Sequence, residues 1–338
     1  MFIYLYVRKQ LYSAYGVRVI VDNIILGNTN IILVHDLSSI PEKSYVLPYG
    51  LLESIDVLNK GCFIYGLSLL IDAYSLGEFS NFSRMGYKNY ISLKYRFITI
   101  LRALKYFYLE YKIFRNFKRI MLVSWGDKEF YERNWLFKKY AHKIFVIQNG
   151  VNIPFYNGIT SKMKIFSNKI RIGCLSPWEG PSFYPMQYFL KEIWGKLPSY
   201  ENIELIIAGR GLSSEKIKFM ESFHNVKVVG EVEKLEDFYE NIDISLIVML
   251  KKCGIINRVL DGFSFNVPVL CRPESLLAFN KLPDCCYTYN DCETFLKAIN
   301  TIKNKPQVAI EKANMALIYV KEFHDWGVNY KDFSSYIN

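Results

Sequence analysis

The chain has 338 residues, of which 51% are hydrophobic and 22% are charged. This composition excludes a disordered polypeptide, and the length supplies enough apolar surface for two folded domains. The formal net charge is +10 at pH 7. Such an excess of cations predicts an anionic partner, which can be a nucleic acid, a membrane surface or a small substrate.

Short apolar runs alternate with stretches of helical periodicity along the chain. In the first half these runs predict strands at Val17–Val21, Ile31–Val34, Phe63–Ile71, Arg119–Val123 and Lys143–Ile147. In the second half they predict strands at Ile170–Cys174, Ile203–Ala208, Val226–Val229, Ile244–Val248 and Val267–Cys271. Helices are predicted over Tyr184–Leu197, with Pro185 in its opening turn, and over Lys234–Tyr239. This alternation is typical of α/β proteins with parallel sheets and crossover helices.

A change of composition divides the chain near its middle. Asn149–Pro154 is rich in turn-forming residues, and the polar residues 157–168 have no periodicity. We therefore predict an N-terminal domain over residues 1–153 and a C-terminal domain over residues 154–315, both doubly wound and Rossmann-like. Ligands of open α/β sheets bind beyond the carboxyl ends of the strands, so we expect the site in the cleft between the domains.

The positive charge is concentrated between Arg84 and Arg119, where Glu110 is the only acid and tyrosine and phenylalanine are frequent. The basic residues of this segment are Arg84, Lys88, Lys94, Arg96, Arg102, Lys105, Lys112, Arg115, Lys118 and Arg119. A basic, aromatic helix of this kind fits peripheral attachment to anionic lipid. The alternative, a solvated helix face with inward-facing rings, stays open. No recognised nucleic-acid-binding module accompanies the segment, so we expect no nucleic-acid partner.

The distribution of apolar residues predicts a cytoplasmic protein. No apolar run reaches the roughly 18 residues that a membrane span requires. Near the beginning of the chain, Arg8, Lys9 and Gln10 interrupt the apolar run, and no small-residue cleavage site follows, so we predict no signal peptide. Together with the basic segment, this predicts attachment to the inner face of the cell membrane.

The cysteines predict neither a disulfide framework nor a metal site. There are seven, an odd number, and most lie in apolar, strand-like segments. Cys285, Cys286 and Cys292 have no histidine at zinc-finger spacing. We therefore expect reduced core thiols and no metal ion or other cofactor.

The segment 242–270 has the strongest functional pattern. The apolar run Ile242–Val248 is followed by Gly254, by Arg258 and Asp261 at helical spacing, and by the second apolar run Val267–Leu270. A glycine allows the backbone to approach a ligand, and the N–H groups at a helix start favour anions. A guanidinium group neutralises phosphate, and a carboxylate accepts hydrogen bonds from ribose hydroxyls. The pattern suits a nucleoside diphosphate, although an ordinary strand–loop–helix unit with solvated charges has the same spacing.

Several segments in the second half resemble the retaining GT-B glycosyltransferases, in particular the large fourth sequence family, which uses nucleotide sugars. Gln148–Asn152 looks like that family's "NGVD" turn, and Ile206–Gly211 like its "I-x-G-x-G" strand end. Asn225–Val232 is similar to the following "V-x-x-x-G-x-V". Gly254–Asp261 with Asn266–Val269 resembles "G-x-x-x-K-x-x-E … G-x-P-V". The order and spacing of these elements, rather than any single one, indicate the family.

The first half resembles the family less closely. Asp72 and Ser75 are similar to its "D-x-x-S" strand end, and Ser124 with Asp127 to its "V-S-x-x-D". Trp326 stands where members often place an aromatic residue before the final helix. The resemblance therefore implies that residues 316–338 form a helix that crosses back to the N-terminal domain.

The chain also departs from the family. Cys253 stands where fuller members have the first glutamate of a pair, Asp261 replaces the second glutamate, and Arg258 replaces a lysine. Cys174 and Glu179 lie where many members have an arginine and a lysine. Diphosphate charge would therefore be balanced by Arg258, by backbone N–H groups and by Arg210, if the latter is not simply solvated.

The resemblance implies roles for particular residues. The expected catalytic residues are Arg258, Asp261 and Asp72. The expected donor-binding residues are Gly173, Gly209, Arg210, Gly254, Ile255, Asn257, Arg258 and Asp261. The expected acceptor-binding residues are His35, Asp36, Asp72 and Ser75, although His35 and Asp36 also suit a turn or a helix cap.

The function implied is transfer of a sugar, with retention, from a UDP- or GDP-linked donor to a glycan or lipid-linked acceptor. Its expected place is the synthesis of a cell-surface polysaccharide or glycolipid. The alternative is a catalytically silent GT-B partner subunit, because Cys253 and Glu179 stand where charged partners of the donor are expected. Whether the protein forms a homo-oligomer stays open.

Overall fold

The computed structural model describes residues 2–61, 63, 66–83, 93–153, 169–179, 183–198, 202–249, 252–326 and 333. Within this part of the chain, parallel strands alternate with helices in two groups. Residues 154–168, where the domain boundary was predicted, lie outside the described residues, as do Arg84, Lys88 and Cys62.

The N-terminal domain contains two three-stranded parallel sheets placed edge to edge. The first comprises β1 (Ile3–Tyr6), β2 (Ile31–Val34) and β3 (Tyr45–Pro48) in the order β2-β1-β3. The second comprises β4 (Leu67–Ile71), β5 (Arg119–Leu122) and β6 (Ile144–Val146) in the order β4-β5-β6. A parallel bridge between Tyr49 and Leu69 joins the two sheets, so the carboxyl ends of these strands share one edge.

The helices of this domain are α1 (Lys9–Tyr12), α2 (Tyr15–Leu26), α3 (Leu51–Lys60), α4 (Tyr74–Ser83), α5 (Leu93–Asn116) and α6 (Trp125–Arg133). Short 3-10 helices cover Leu37–Ser39 and Lys138–Lys143. The predicted strand Val17–Val21 is wrong, because these residues lie inside α2. Ile20, Val21 and Ile24 are buried there at the i, i+1, i+4 spacing of a helix face.

The C-terminal domain has one six-stranded parallel sheet. Its strands are β7 (Ile170–Leu175), β8 (Ile203–Ala208), β9 (Val226–Gly230), β10 (Ile244–Ile247), β11 (Val269–Cys271) and β12 (Cys286–Thr288). The order is β12-β11-β10-β7-β8-β9. The order reverses at β7, which is the position where doubly wound sheets open a ligand crevice.

The helices of this domain are α7 (Phe183–Glu192), α8 (Ser214–Glu221), α9 (Leu235–Tyr239), α10 (Asn257–Ser264), α11 (Cys292–Asn304) and α12 (Pro306–Phe323). The predicted helix Tyr184–Leu197 is in part a 3-10 helix, Trp194–Lys196, and a second 3-10 helix covers Pro273–Leu276. The boundary predicted after residue 315 falls inside α12. Of the residues after Trp326, only Phe333 is described, and it is buried.

Apolar packing connects the two domains. One cluster of buried residues joins Val123 and Ile147, which follow β5 and β6, to Ile255 and Ile256 in the loop before α10. Hydrogen bonds cross the same junction, because Gln148 Nε2 donates to the Ala278 carbonyl over 2.8 Å. The segments that follow the carboxyl ends of both sheets therefore meet, which places the interdomain cleft beside them.

Candidate active site

The carboxyl ends of β7 and β8 are held together by close backbone contacts. Ser176 N–H donates to the Ala208 carbonyl over 3.2 Å, and Trp178 N–H donates to the Arg210 carbonyl over 2.9 Å. Gly209 has φ +132°, and a Cβ atom there would lie 1.8 Å from the Ser176 carbonyl oxygen. Only glycine fits this turn, so Gly209 shapes the edge of the sheet where a donor would lie.

Arg210, another predicted donor residue, extends from this turn into solvent. Its side chain is 53% exposed, and its Nε lies 3.9 Å from a carboxylate oxygen of the 64% exposed Glu179. An ion pair so exposed contributes little energy. Arg210 therefore remains free to turn toward an anion, and Glu179 competes for its charge.

Arg258 and Asp261 form an ion pair on the first turn of α10. Arg258 Nη1 donates to Asp261 Oδ2 over 2.6 Å, and the Arg258 side chain is one-third exposed. Burial raises the pKa of Asp261, and the Arg258 guanidinium opposes that rise. The nearby carboxyl group and burial together raise the pKa of Tyr239 well above its usual value, with burial the larger cause. The pair therefore places a cation, with an exposed side, at the start of a helix.

The loop before α10 contacts the N-terminal domain. Gly254, with φ +62°, donates its N–H to Asp127 of α6, and Asn257 Oδ1 accepts a hydrogen bond from Asn149 Nδ2 over 3.0 Å. Ile255 is buried in the shared apolar cluster. We call the segment Lys252–Ile256 the donor loop, after the donor-binding role that the sequence predicts for Gly254 and Ile255. Three of the predicted donor residues thus lie at the junction of the two domains.

Gly173 has a packing role. It lies inside β7, and a Cβ atom there would approach the Ile242 side chain to 2.5 Å and the Phe238 ring to 2.8 Å. Its missing side chain lets these two residues pack onto the sheet. The structure therefore places Gly173 among core residues, two positions before the strand end.

Asp72 follows β4 at the edge that faces the cleft, and it is half-buried. The preceding residue, Ile71, has φ +74°, a left-handed conformation that a β-branched residue rarely adopts. The register of β4 against β5 shifts at the same place. Local strain of this kind clusters at functional sites, and it turns the chain sharply at Asp72.

His35 and Asp36 follow β2 and have local partners. His35 Nδ1 lies 2.7 Å from the Val7 carbonyl oxygen. The Asp36 carboxylate accepts hydrogen bonds from the N–H and the hydroxyl of Ser38, and these bonds lower its pKa. Asp36 thus caps the 3-10 helix Leu37–Ser39, as the alternative interpretation of the sequence stated.

Ser75 is fully buried at the start of α4. Its backbone N–H donates to Glu110 Oε1 over 2.9 Å, and its hydroxyl donates to Glu110 Oε2. Burial raises the pKa of Glu110 to about 7, although the hydrogen bonds from Ser75 oppose the rise. Ser75 is therefore committed to a buried carboxyl group of α5.

The sequence interpretation missed a polar cluster after β1. Arg8 donates to Asp56 Oδ2 from Nε over 2.9 Å and from Nη2 over 2.6 Å, and Tyr6 also donates to this oxygen over 3.1 Å. Glu53, buried at the start of α3, lies 3.8 Å from Arg8, and burial raises its pKa. The sequence signal for this cluster is the apolar run before Arg8, which indicates β1 and places Arg8 just after the end of that strand.

The described residues provide no group of three histidine, cysteine or acidic side chains that could hold a metal ion. No disulfide joins the cysteines of the same part of the chain, which are Cys174, Cys253, Cys271, Cys285, Cys286 and Cys292. Among the helices that the structure describes, none is long and apolar enough to cross a membrane.

The C-terminal domain matches a known family model. Residues 171–305 match the model "Glycosyl transferases group 1". This segment begins at the second residue of β7 and contains β8 to β12 and the Arg258–Asp261 pair. No curated protein matches the chain in sequence.

Comparison with solved structures identifies the whole fold. HepE from Anabaena, in complex with UDP and glucose, is 12% identical over 99% of this chain and 98% of its own, with a TM-score of 0.61. Sucrose-phosphate synthase from Thermosynechococcus elongatus is 13% identical over 86% of this chain and 72% of its own, with a TM-score of 0.63. A glycosyltransferase from Rickettsia africae ESF-5 is 15% identical over 99% of this chain and 97% of its own, with a TM-score of 0.56.

These likenesses establish the GT-B fold, two Rossmann-like domains with parallel sheets, as the sequence predicted. With the family match of residues 171–305, they support a glycosyltransferase enzyme. They do not favour the alternative of a catalytically silent subunit.

Proposed function

We propose that the protein transfers a sugar, with retention of configuration, from a nucleotide sugar to a glycan or lipid-linked acceptor in the synthesis of a cell-surface polysaccharide or glycolipid. The observation that carries the proposal is the Arg258–Asp261 pair at the start of α10, inside the segment that matches the family model. The solved complexes of HepE with UDP and with UDP-glucose support a nucleotide-sugar donor of the UDP type. GDP stays the second candidate.

The chemical demand of the reaction explains the role of Arg258. Breaking the anomeric C–O bond releases a diphosphate, so negative charge develops on phosphate oxygens. Arg258 supplies a delocalised cation at that place, and Asp261 fixes the guanidinium by a 2.6 Å hydrogen bond. Ile256, the residue before α10, has no polar side chain that could cap the helix, and the start of a helix favours an anion.

The acceptor side is assigned to the cleft-facing edge of the N-terminal sheet. Asp72, at the strained end of β4, and His35, after β2, remain the candidates for contact with the acceptor hydroxyl group. With retention, the departing phosphate can itself take the proton of that hydroxyl, so no separate base is required. We assign Ser75 and Asp36 to support of this edge, because their polar groups already bind Glu110 and Ser38.

Nucleotide binding tests the donor site. UDP should raise the melting temperature of the wild-type protein, and ADP should not, because ligand binding to the folded state alone stabilises it. Arg258→Ala should abolish the UDP shift and lower the rate of transfer by about 100-fold or more, the cost of removing a major transition-state donor. Arg258→Lys should retain partial binding, because it keeps the charge and loses the two-pronged geometry.

The matched control is Arg133→Ala, which removes an exposed arginine of a surface ion pair on α6. It should change neither the UDP shift nor turnover. Full turnover of Arg258→Ala would reject the donor-site assignment. Nucleotide binding without donor hydrolysis or transfer would instead support the silent-subunit alternative.

We also propose that helix α5 binds an anionic membrane surface. Four large side chains lie on its outward face at the spacing i, i+4, i+7, i+11: Phe97, Leu101, Leu104 and Tyr108, which are 63%, 51%, 54% and 62% exposed. The opposite face packs into the domain through residues that include Thr99, Ala103, Glu110, Ile113 and Phe114. An apolar stripe this exposed on a soluble domain indicates a binding surface.

The charges around the stripe favour lipid over an apolar protein partner. Lys105 and Arg115 are exposed on α5, and Arg96 and Lys112 are half-buried there. Glu110, the one acid of the segment, is buried. In an interfacial helix, apolar side chains reach the acyl chains and cations lie at the lipid headgroups. The stripe and the cations of α5 fit this arrangement.

Vesicle flotation tests the membrane proposal. The protein should float with vesicles that contain phosphatidylglycerol and not with vesicles of phosphatidylcholine alone. Leu101→Ser with Leu104→Ser should abolish flotation, whereas Leu26→Ser, which changes an 80% exposed leucine of α2, should not. Equal flotation of all variants, or dimerisation through the stripe in place of vesicle binding, would refute it.

A further inference from the structure

The donor loop of the C-terminal domain enters the N-terminal domain. Cys253 is 4% exposed and belongs to the apolar cluster formed by residues of the N-terminal domain, among them Phe114 and Tyr131. It packs against Gly77 of α4, where a Cβ atom would lie 2.7 Å from the Cys253 Sγ atom. The thiol therefore occupies a space that exists only because residue 77 has no side chain.

Asp127 binds the backbone of the same loop. Its Oδ2 accepts the Ala73 N–H over 2.7 Å within the N-terminal domain. Both of its carboxylate oxygens lie 3.0 Å from the Gly254 N–H of the C-terminal domain. Asp127 is fully buried, and hydrogen bonds from N–H groups to a buried carboxylate are strong.

The start of α6 makes two further contacts with the C-terminal domain. Trp125 N–H donates to the Ala278 carbonyl over 3.1 Å. A Cβ atom at Gly126 would lie 2.9 Å from the Leu277 carbonyl oxygen. The first turn of α6 is therefore a docking point for two separate segments of the other domain, and Asp127 is the charged group in it.

The position of the loop in the chain gives these contacts a consequence for the donor site. Gly254 has φ +62°, a conformation in which glycine is favoured, and Arg258 follows four residues later on α10. Ile255 and Ile256, which connect Gly254 to the start of α10, are buried, so we expect a change in the backbone at Gly254 to shift the start of α10 as well.

We propose that Asp127 is a positioning residue that fixes the donor loop against the N-terminal domain. The nucleotide-sugar pocket is then complete only when the two domains are together. This inference rests on the proposed function for the meaning of the loop, whereas the contact itself can be tested without any substrate.

The first test removes one hydrogen-bond-accepting oxygen of Asp127 with little change in side-chain volume. Asp127→Asn removes the negative charge and replaces one carboxylate oxygen by an amide nitrogen, which cannot accept a hydrogen bond. The oxygen lost is either Oδ1, one of the two that the Gly254 N–H contacts, or Oδ2, which the Ala73 N–H contacts as well. Hydrogen–deuterium exchange of residues 252–256 in the ligand-free protein should be about tenfold faster or more than in the wild type, the change expected when a charge-assisted hydrogen bond is lost. The KM for UDP-glucose should rise more than kcat falls.

The matched control is Ser124→Ala. The Ser124 hydroxyl accepts the Asp127 N–H over 3.3 Å and caps the same helix without reaching the donor loop. It should lower the melting temperature while leaving exchange of residues 252–256 and the KM unchanged. Equal effects of the two variants would reduce Asp127 to a structural residue of α6 and overturn the proposal.

A second variant keeps the test decisive if Asp127→Asn fails to fold. Gly77→Ala places a methyl group against the Cys253 thiol in a helix that alanine itself favours. It should accelerate exchange in the donor loop and weaken UDP binding about tenfold or more without lowering the melting temperature, the signature of a displaced loop in an intact fold.

Cys253→Ala in the Gly77→Ala background should restore both properties, because the Cβ of residue 253 lies 4.0 Å from the added methyl group, an ordinary contact. If Cys253→Ala restored neither property, the proposed fit of the Cys253 thiol against Gly77 would be overturned. The two proposals fail differently. If the wild type bound neither UDP nor GDP, the proposed function would fail, whereas the exchange results would still test the contact of Asp127 with the loop. If UDP bound and exchange in Asp127→Asn equalled that of the wild type, the positioning role alone would fail.

Discussion

The two domains present different edges to the cleft. At the C-terminal edge, the charged groups of Arg258 and Arg210 retain exposed surface, and the backbone turns tightly at Gly209. At the N-terminal edge, the Ser75 hydroxyl and the Asp36 carboxylate already have partners inside their own domain. Both edges therefore contain paired polar groups, but the C-terminal edge also keeps exposed cationic surface, which suits an anion.

This difference separates groups that are placed by local sequence from groups that are placed by distant partners. Arg258 and Asp261 are three residues apart on one helix, so their spacing alone brings them together. Ser75 and Glu110 are 35 residues apart and meet only because α4 packs on α5. The groups at the C-terminal edge are therefore recognisable as a sequence motif, whereas those at the N-terminal edge depend on tertiary packing.

The largest effect is expected on the free energy of unfolding, when one glycine of each domain is replaced by alanine. Gly209→Ala should destabilise the protein by about 4 kcal/mol or more, because the new Cβ meets a backbone carbonyl and the residue keeps a strained φ. Gly61→Ala should cost only about 1–2 kcal/mol, the strain of a left-handed alanine. Gly61 ends α3 with φ +74°, and no atom lies within 4 Å of its would-be Cβ.

Urea unfolding of both variants measures the comparison. Equal losses of unfolding free energy would show that the turn after β8 can relax. The donor edge would then be less rigid than its backbone contacts indicate.

The second prediction tests the buried support of the N-terminal edge. The folded protein keeps a proton on Glu110 up to about pH 7, whereas the unfolded chain loses it near the ordinary value of 4.5. Between these values the unfolded state binds fewer protons. Glu110 therefore makes the unfolding free energy fall as pH rises, by at most about 1.4 kcal/mol per pH unit, and adds no further change above pH 7.

Glu110→Gln should lack this fall, so the stability of the wild type relative to the variant should decrease from pH 5 to pH 7. Urea unfolding at several pH values measures the difference, and other titrating groups cancel in it. A constant difference across this range would mean that Glu110 titrates as a solvent-exposed carboxyl group does.

The smallest effect is expected from a change at Asp36, which we assign to the cap of the 3-10 helix Leu37–Ser39. Asparagine caps a helix about as well as aspartate. Asp36→Asn should therefore leave the melting temperature unchanged and turnover within about twofold of the wild type. Turnover of the variant with the natural acceptor measures this. A tenfold or greater loss of turnover at an unchanged melting temperature would instead indicate that Asp36 contacts the sugar acceptor.

The strands of the C-terminal domain followed from sequence more completely than those of the N-terminal domain. The predicted Ile203–Ala208 has the observed bounds, and the predicted Val226–Val229 ends one residue early. β8 is largely buried, and in a buried parallel strand a continuous apolar run is a sufficient signal. In the N-terminal domain, β1 and β3 were missed and part of α2 was taken for a strand, because short apolar runs do not distinguish a strand from a buried helix turn.

The candidate site was predictable only where its members are close in sequence. Arg258, Asp261 and Gly209 lie where the sequence placed them, at the strand ends and helix start of the C-terminal sheet. The partners Asp56 and Arg8 are 48 residues apart, and Asp127 meets Gly254 across 127 residues. Such pairs exist only after the sheets have formed, so no spacing rule could have found them.

The shared apolar cluster has a consequence for work with half-molecules. It contains Leu5 and Met121 from the N-terminal sheet together with Val259 and Phe263 from α10. A separately expressed C-terminal half would lack the residues that the N-terminal domain contributes to this cluster, and large exposed apolar patches cause aggregation. Isolated halves of this enzyme should therefore require a solubilising substitution on the uncovered surface before they can be purified.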